Sequence, residues 1–306
     1  MGLKKLFVFF IGLLLLSKPF VYAADHSNNH SVQECYSLFL QAFEEKKWKE
    51  LINYTQKVLR QFPDTPFAEE ARYYQGVAYF HLGDYDLSNS LFSSYLKQSS
   101  APKFFEEALT FKFTIAEKFR GGTKRHLFGS RKLPSWASAK EEALKIYDEV
   151  AQALPAHEIA AKSLLSKGDL LLQTEEFAES ISTLEGLTRN FPKSEEALKA
   201  FVLIGKNYLV QINPKQQDMD LLSKAEINIR KLKEAFPQAE DRIQEVVKML
   251  DRMKEVYAGS LFEVAQFFER TKKKNAAVIY YSKIIAQYPQ TKSAEKSQKR
   301  MTDLKR

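Results

Sequence analysis

A spacing of small and aromatic residues that returns in units of about 34 residues constrains this chain more than any other feature. Counted from Glu69, the eighth, eleventh, fifteenth and seventeenth places hold Gly76, Tyr79, Gly83 and Tyr85. Ser88, Phe92 and Tyr95 follow at the twentieth, twenty-fourth and twenty-seventh. A lone amphipathic helix needs no glycine at such places. Two helices crossing closely do, because glycine admits the facing backbone and a ring fills the adjoining gap.

The same frame fits elsewhere. A unit from Val32 carries Ala42, Trp48, Leu51, Val58 and a closing Pro63; one from Ala161 carries Gly168, Phe177, Ser180, Leu184, Leu187 and Pro192. A unit from Leu198 has Gly205 and Tyr208 and then, after extra residues, Ala225, Ile229, Leu232 and Pro237. The last, from Ala258, has Ala265, Phe268, Ala277, Tyr281, Ile284 and Pro289. A unit from Ala101 places Ala108 and Phe111 in the first helix and Ala143, Tyr147, Val150 and Pro155 in the second, across a long insertion. This is the scheme of the tetratricopeptide repeat, two antiparallel helices with small residues at the crossing. The expected fold is therefore all-α, a superhelix of about six helix-turn-helix units with a concave groove. Such folds hold partners and seldom carry catalysis.

Ahead of the repeats, Lys4 and Lys5 precede the apolar run Leu6–Leu16, followed by Pro19 and the small-residue site Val21-Tyr22-Ala23. That pattern predicts a signal peptide over residues 1–23, cleaved before Ala24. An uncleaved anchor is the alternative, although the apolar run falls short of the about 20 residues a spanning helix needs. Residues 24–31 read as a flexible segment, 32–157 as amino-terminal repeats, and 158–306 as carboxy-terminal repeats with a capping helix. Removal of the signal leaves 43 basic against 38 acidic residues, a mild excess that argues against nucleic acid as a partner. The single cysteine, Cys35, has no disulfide partner within the chain.

Two interruptions depart from the frame. Residues 118–140, "KFRGGTKRHLFGSRKLPSWASAK", hold seven Lys/Arg and no Asp/Glu, with Phe128 and Trp136 among them. Lys124, Arg125, Arg131 and Lys132 are the candidate contacts to an acidic partner or an anionic membrane surface; the alternative is a solvated loop whose rings tuck onto a neighbouring repeat. Residues 210–224 extend a turn, and 239–257 read as an extra amphipathic helix leading into the last repeat. From Arg270 to Arg306 the chain is strongly basic.

No catalytic constellation is visible. The five histidines are scattered without metal-ligand spacing, "FRGGTKR" lacks the spacing of a phosphate loop, and no nucleophile elbow or paired-cysteine motif occurs. The reading is a protein that is not an enzyme and needs neither metal nor cofactor. A binding surface is legible instead. In the repeat frame the second, fifth, ninth, twelfth and thirteenth places of each first helix face the groove. Across the first three units these include Tyr36, Leu40, Phe43, Tyr73, Phe80, Phe105, Lys112 and Phe113, an aromatic lining suited to a peptide. A superhelix closed tightly enough to bury these residues as core is the alternative.

Three stretches carry a family resemblance. "KKWKELINYTQKVLRQFPDTPFAEEARYYQGVAYFHLGDYDLSNSLFSSYLK", the 118–140 insertion with its "LFGSR", and "YAGSLFEVAQFFERTKKKNAAVIYYSKIIAQYPQT" resemble the BamD (ComL/YfiO) family, the repeat subunit of the outer-membrane β-barrel assembly machinery. The resemblance implies a periplasmic scaffold at the inner face of the outer membrane. Its amino-terminal groove would meet the carboxy-terminal signal strand of unfolded β-barrel precursors, and its carboxy-terminal repeats would dock on the BamA-like barrel-inserting subunit. Family members carry a lipid on a cysteine directly after the signal, whereas Cys35 follows Ser31-Val32-Gln33-Glu34 and lacks that context, so no lipid is expected on it. This chain also shows six units where the family shows five. A periplasmic repeat adaptor for cell-envelope or division machinery is the other reading the sequence admits.

Overall fold

The computed structural model describes residues 31–98, 101–126, 135–137, 139–216 and 218–305. The expected signal peptide, most of the flexible segment, Arg131 and Lys132 lie outside the described residues. The described chain forms six helical hairpins. These are α1 (Val32–Glu44) with α2 (Trp48–Gln61), α3 (Pro66–His81) with α4 (Tyr85–Gln98), and α5 (Phe105–Arg120) with α6 (Lys140–Ala153). The carboxy-terminal three are α7 (Glu158–Gln173) with α8 (Phe177–Asn190), α9 (Glu195–Val210) with α10 (Met219–Ala235), and α11 (Glu240–Arg270) with α12 (Lys274–Gln287). A last helix, α13 (Lys292–Lys305), packs on α11 and α12. Each second helix also packs on the first helix of the next hairpin, so the units stack into the tetratricopeptide-repeat superhelix that the spacing predicts.

Local chemistry explains where the helices begin and turn. Ser31 and Glu34 form a reciprocal capping box at α1, while Thr65 and Ser194 accept from backbone N–H groups in the first turns of α3 and α9. The tight turns of four hairpins each pass through one left-handed residue: Lys46, Gly83, Glu175 and Lys272, with φ of 56°, 76°, 64° and 62°. Only Gly83 adopts this conformation without a Cβ penalty. At the crossing, a Cβ on Gly168 would stand 2.5 Å from Leu184 of α8, so any larger residue would force Leu184 to move. The neighbouring serine adds a bond that spacing alone does not announce. Ser180 Oγ donates to Gly168 O at 2.7 Å, and Ser88 Oγ makes the same bond to Gly76 O at 2.9 Å. Asn207 Nδ2 of α9 donates to Ser180 Oγ, which ties three helices through one buried hydroxyl.

The core runs as three adjoining clusters, centred on α1–α3, on α3–α7 and on α8–α13. Cys35 is fully buried in the first of them, on the core face of α1. After Pro237 the extra helix continues without a break into the first helix of the last hairpin, which makes α11 a single helix of 31 residues. Glu255 in its middle accepts from Lys292 N, Ser293 N and Ser293 Oγ, so α11 caps the start of α13.

The third hairpin differs from the expected frame in two ways. Its insertion contains two short strands, β1 (Arg125–His126) and β2 (Ser135–Ala137), paired antiparallel, where the all-α spacing predicts none. Its first helix also has no glycine at the crossing. In α4 and α8 the eighth residue, Phe92 or Leu184, meets the glycine of the crossing. The eighth residue of α6, Tyr147, meets Phe113 instead, with ring centroids 6.1 Å apart. Tyr147 also donates to Glu117, and Ala108 and Ile115, seven residues apart on one face of α5, are both fully buried while Phe113 is half-buried.

Candidate functional site: two halves of a concave groove

The first helices of the hairpins line the concave face. Between α3 and α5 that face opens into a cavity of about 530 Å³ lined by Tyr73, Phe80, Phe111, Thr110 and Thr114, with Glu106 and Glu107 at its rim. The rings form one packed shelf. Phe80 meets Phe111 edge-on at 5.0 Å, Phe111 stacks on Phe92 at 5.2 Å, and Tyr73 stacks on Phe104 at 4.4 Å. Tyr73 is only 7% exposed and belongs to the core, with one edge reaching the cavity. Burial pushes its hydroxyl pKa well above the ordinary tyrosine value. Phe80 and Phe111 are half-buried and present the usable apolar surface.

The remaining sequence candidates fall in three places. Tyr36, Leu40 and Phe43 are half-buried against the first cluster. Tyr36 Oη donates to the Glu70 carboxylate at 2.9 Å, and burial with that bond lifts its pKa to about 12. Phe43 packs edge-on against Tyr74. Phe105 opens α5 and packs on the core outside the cavity lining.

Lys112 and Phe113 correct the expectation. Lys112 is 1% exposed and turned toward the second helices. Its Nζ donates to Asn89 Oδ1 and Ser93 Oγ, both at 2.6 Å, and pairs with the Glu149 carboxylate at 2.8 Å. Burial lowers its pKa, against the opposing pull of Glu149. Phe113 packs on Tyr147 of α6. Phe111, absent from the sequence candidates, takes the groove position they were expected to fill. Of the basic insertion, Lys124 is exposed and β1, which begins at Arg125, lies beside α4.

The second half of the groove has another chemistry. Residues from α5, α7, α9 and α11 surround a cavity of about 310 Å³ whose floor is aliphatic, with Leu165, Val202 and Leu203. Its walls carry Arg120, Lys199, Lys206 and Arg242 against Asp169 and Glu245. Arg120 links hairpins three and four: it donates to Glu117 at 2.7 Å and to Asp169 at 2.8 Å. Glu117 also accepts from Tyr147 Oη at 2.5 Å. Its burial favours the neutral acid, but the bonds from Tyr147, Ser166 and Arg120 outweigh it and hold the carboxyl below its usual value. Lys199, Val202 and Lys206 occupy the second, fifth and ninth places of the unit from Leu198. The groove rule applied to the later repeats would have found them.

A third feature lies on the last hairpin. Val264 and Phe267 of α11 and Ile279 of α12 are exposed, Phe267 to 53% and Ile279 to 66%. Phe268 stacks on Tyr280 beside them, and Lys272, Lys273 and Lys274 occupy the adjoining turn and helix start. Among the described residues no helix is long and apolar enough to cross a membrane, and no cluster of metal-ligating side chains occurs.

A family model described as YfiO, outer membrane lipoprotein, matches residues 134–306, and a tetratricopeptide-repeat model matches residues 52–102. No curated protein gives a match. Solved structures with a similar trace include MamA from Desulfovibrio magneticus RS-1, at 17% identity and a TM-score of 0.38, covering 68% of this chain and 96% of that one. A tetratricopeptide-repeat protein from Parabacteroides merdae ATCC 43184 aligns at 13% identity and a TM-score of 0.39, covering 88% and 97%. A thermophilic repeat protein from Thermus thermophilus aligns at 14% identity and a TM-score of 0.33, covering 72% and 99%.

Proposed function

The chain belongs to the YfiO outer-membrane lipoprotein family, and from that premise we propose that it is a non-catalytic periplasmic scaffold in the assembly of β-barrel proteins into the outer membrane. The observation that carries this reading is the aromatic cavity of Phe80 and Phe111 on the concave face. An extended, aromatic-rich segment of an unfolded barrel precursor suits that cavity, since rings bury large area at low conformational cost. The exposed apolar patch of Val264, Phe267 and Ile279 supports a second contact, the docking of the last hairpin on a barrel-inserting subunit. The basic insertion of residues 118–140 supports a contact to an acidic partner or to anionic lipid at the inner face of the outer membrane. Amino-terminal repeats that receive the precursor and carry this insertion, and carboxy-terminal repeats that dock, give the two parts of the chain separate tasks.

Titration of a carboxy-terminal barrel peptide against the wild type and Phe80→Ala tests the reading. The substitution is expected to weaken binding by about 1–3 kcal/mol, as at a groove anchor. The melting transition should remain single and cooperative. Unchanged affinity would remove the amino-terminal groove as the precursor site. Co-purification followed by mass spectrometry then identifies whether the last hairpin holds a barrel-inserting subunit.

A further inference from the structure

We propose that the groove reads direction as well as aromaticity: the cavity between α5 and α11 takes the carboxylate of a peptide whose rings lie over Phe80 and Phe111. The inference rests on the precursor-binding reading above. Charge along the concave face carries it. The aromatic cavity is rimmed by Glu106 and Glu107, while the next cavity along the same face carries four cations and two acids. A bound segment with its carboxylate at the aromatic end would meet two acids. In the opposite direction the carboxylate meets Lys199, Lys206 and Arg242.

These cations are available for it. Lys206 has no ion-pair partner among the described residues. Lys199 pairs with Glu195 and Arg242 with Glu245, each within one turn of its own helix. Exposed pairs of that kind contribute little and exchange readily for an incoming anion. Arg120 is committed to Glu117 and Asp169 and forms the fixed wall between the two cavities. The aliphatic floor of Leu165, Val202 and Leu203 lowers the local dielectric, which strengthens a charge contact made above it.

Geometry sets the spacing. Lys199 and Lys206 stand on α9, two first helices beyond α5 by way of α7. At about 8–10 Å per packed pair the span is about 16–20 Å, which an extended chain covers in about five or six residues. The preferred ligand is thus an extended peptide with an aromatic residue and, about five or six residues toward its carboxy terminus, a carboxylate. That carboxylate is the chain terminus or an acidic side chain.

The test uses fluorescence anisotropy with a synthetic peptide carrying two phenylalanines and a free carboxy terminus about five residues beyond the second. Three forms are compared: free acid, carboxy-terminal amide, and free acid with one Glu added at the same distance. The free acid is expected to bind about tenfold more tightly than the amide at low salt, with the gap closing as salt rises. Lys206→Glu with Arg242→Glu should bring the free acid down to the affinity of the amide and leave the melting temperature unchanged. If amidation has no effect but addition of Glu tightens binding in the wild type alone, the carboxylate is a side chain and the assignment holds. Binding indifferent to amidation, to Glu and to the two reversals overturns the inference and leaves the aromatic groove standing. Failure of every form to bind overturns both readings together.

Discussion

The two halves of the concave groove are built from the same helical unit and do opposite things with it. Between α3 and α5 the lining is spent on rings: Tyr73 is core, Phe111 is wedged on Phe92, and Phe80 caps the shelf. From α5 to α11 the lining is aliphatic at the floor and ionic at the walls. The first half gains adhesion from area removed from water, which salt leaves largely intact, while the second gains orientation from charges that salt screens. Arg120 stands at the boundary, bonded backward to Glu117 and forward to Asp169. On the proposed reading, one scaffold separates affinity from specificity along its length.

The largest expected effect comes from treating the aromatic half as core. Tyr73→Ala should remove about 3–5 kcal/mol of stability in urea unfolding, the range of buried aromatic truncations. Phe80→Ala should lose less than half of that. Equal losses would mean that Phe80 is core as well and that the first half offers no binding surface.

Alkaline titration ranks next and falls mainly on the same half. Tyr36 and Tyr147 each donate to a carboxylate, and burial raises both, Tyr36 to about 12. The unfolded chain ionises its tyrosines near pH 10, so it gains from the proton loss that the folded chain resists. Stability should therefore fall as pH rises from about 10 toward 12. Thermal melts across that window should show Tyr147→Phe flattening the fall; an unchanged slope would place the alkaline sensitivity elsewhere.

Breaking the boundary comes third. Arg120→Met should cost about 1–3 kcal/mol at neutral pH by leaving Glu117 and Asp169 without their cation. Glu117 is held below its usual carboxyl value, so the stability it brings is present above about pH 4.5 and lost as the solution is acidified through its folded pKa. The wild type and Arg120→Met should then converge below that pH in circular-dichroism melts. A difference that persists in acid would mean that Arg120 acts by packing.

Lys112 is expected to matter least at neutral pH. Lys112→Met exchanges a buried charge for apolar volume and should shift stability by about 1 kcal/mol or less, in either direction. Because burial depresses its folded pKa, the wild type gains stability as pH rises from that value toward the unfolded lysine range near 10.5. The variant should lack this gain. Calorimetry at pH 8 and pH 10 decides it, and a loss of several kcal/mol at pH 8 would make Lys112 a structural clamp between α4 and α6.

Much of this was legible in the chain itself. Gly76 and Gly168 mark helix crossings because an added Cβ would stand 3.0 Å from Phe92 and 2.5 Å from Leu184, and Ser88 and Ser180 sit where a small residue must. Those constraints act within one hairpin, between residues close in sequence, so spacing alone determined the repeat fold and the second helix of every unit. It also placed Tyr73 and Phe80 on the groove side. The lining contributed by α5 was beyond its reach. Asn89, Ser93 and Glu149, on α4 and α6, draw Lys112 into the seam between second helices, and Phe111 reaches the groove by stacking on Phe92 and meeting Phe80. The ionic half needed tertiary structure as well, because Arg120, Asp169, Lys206 and Arg242 lie on four helices far apart in sequence and become one site only when the hairpins stack. Local geometry is written in the spacing of residues; which face a helix turns to its neighbours is decided by the fit between side chains that only folding brings together.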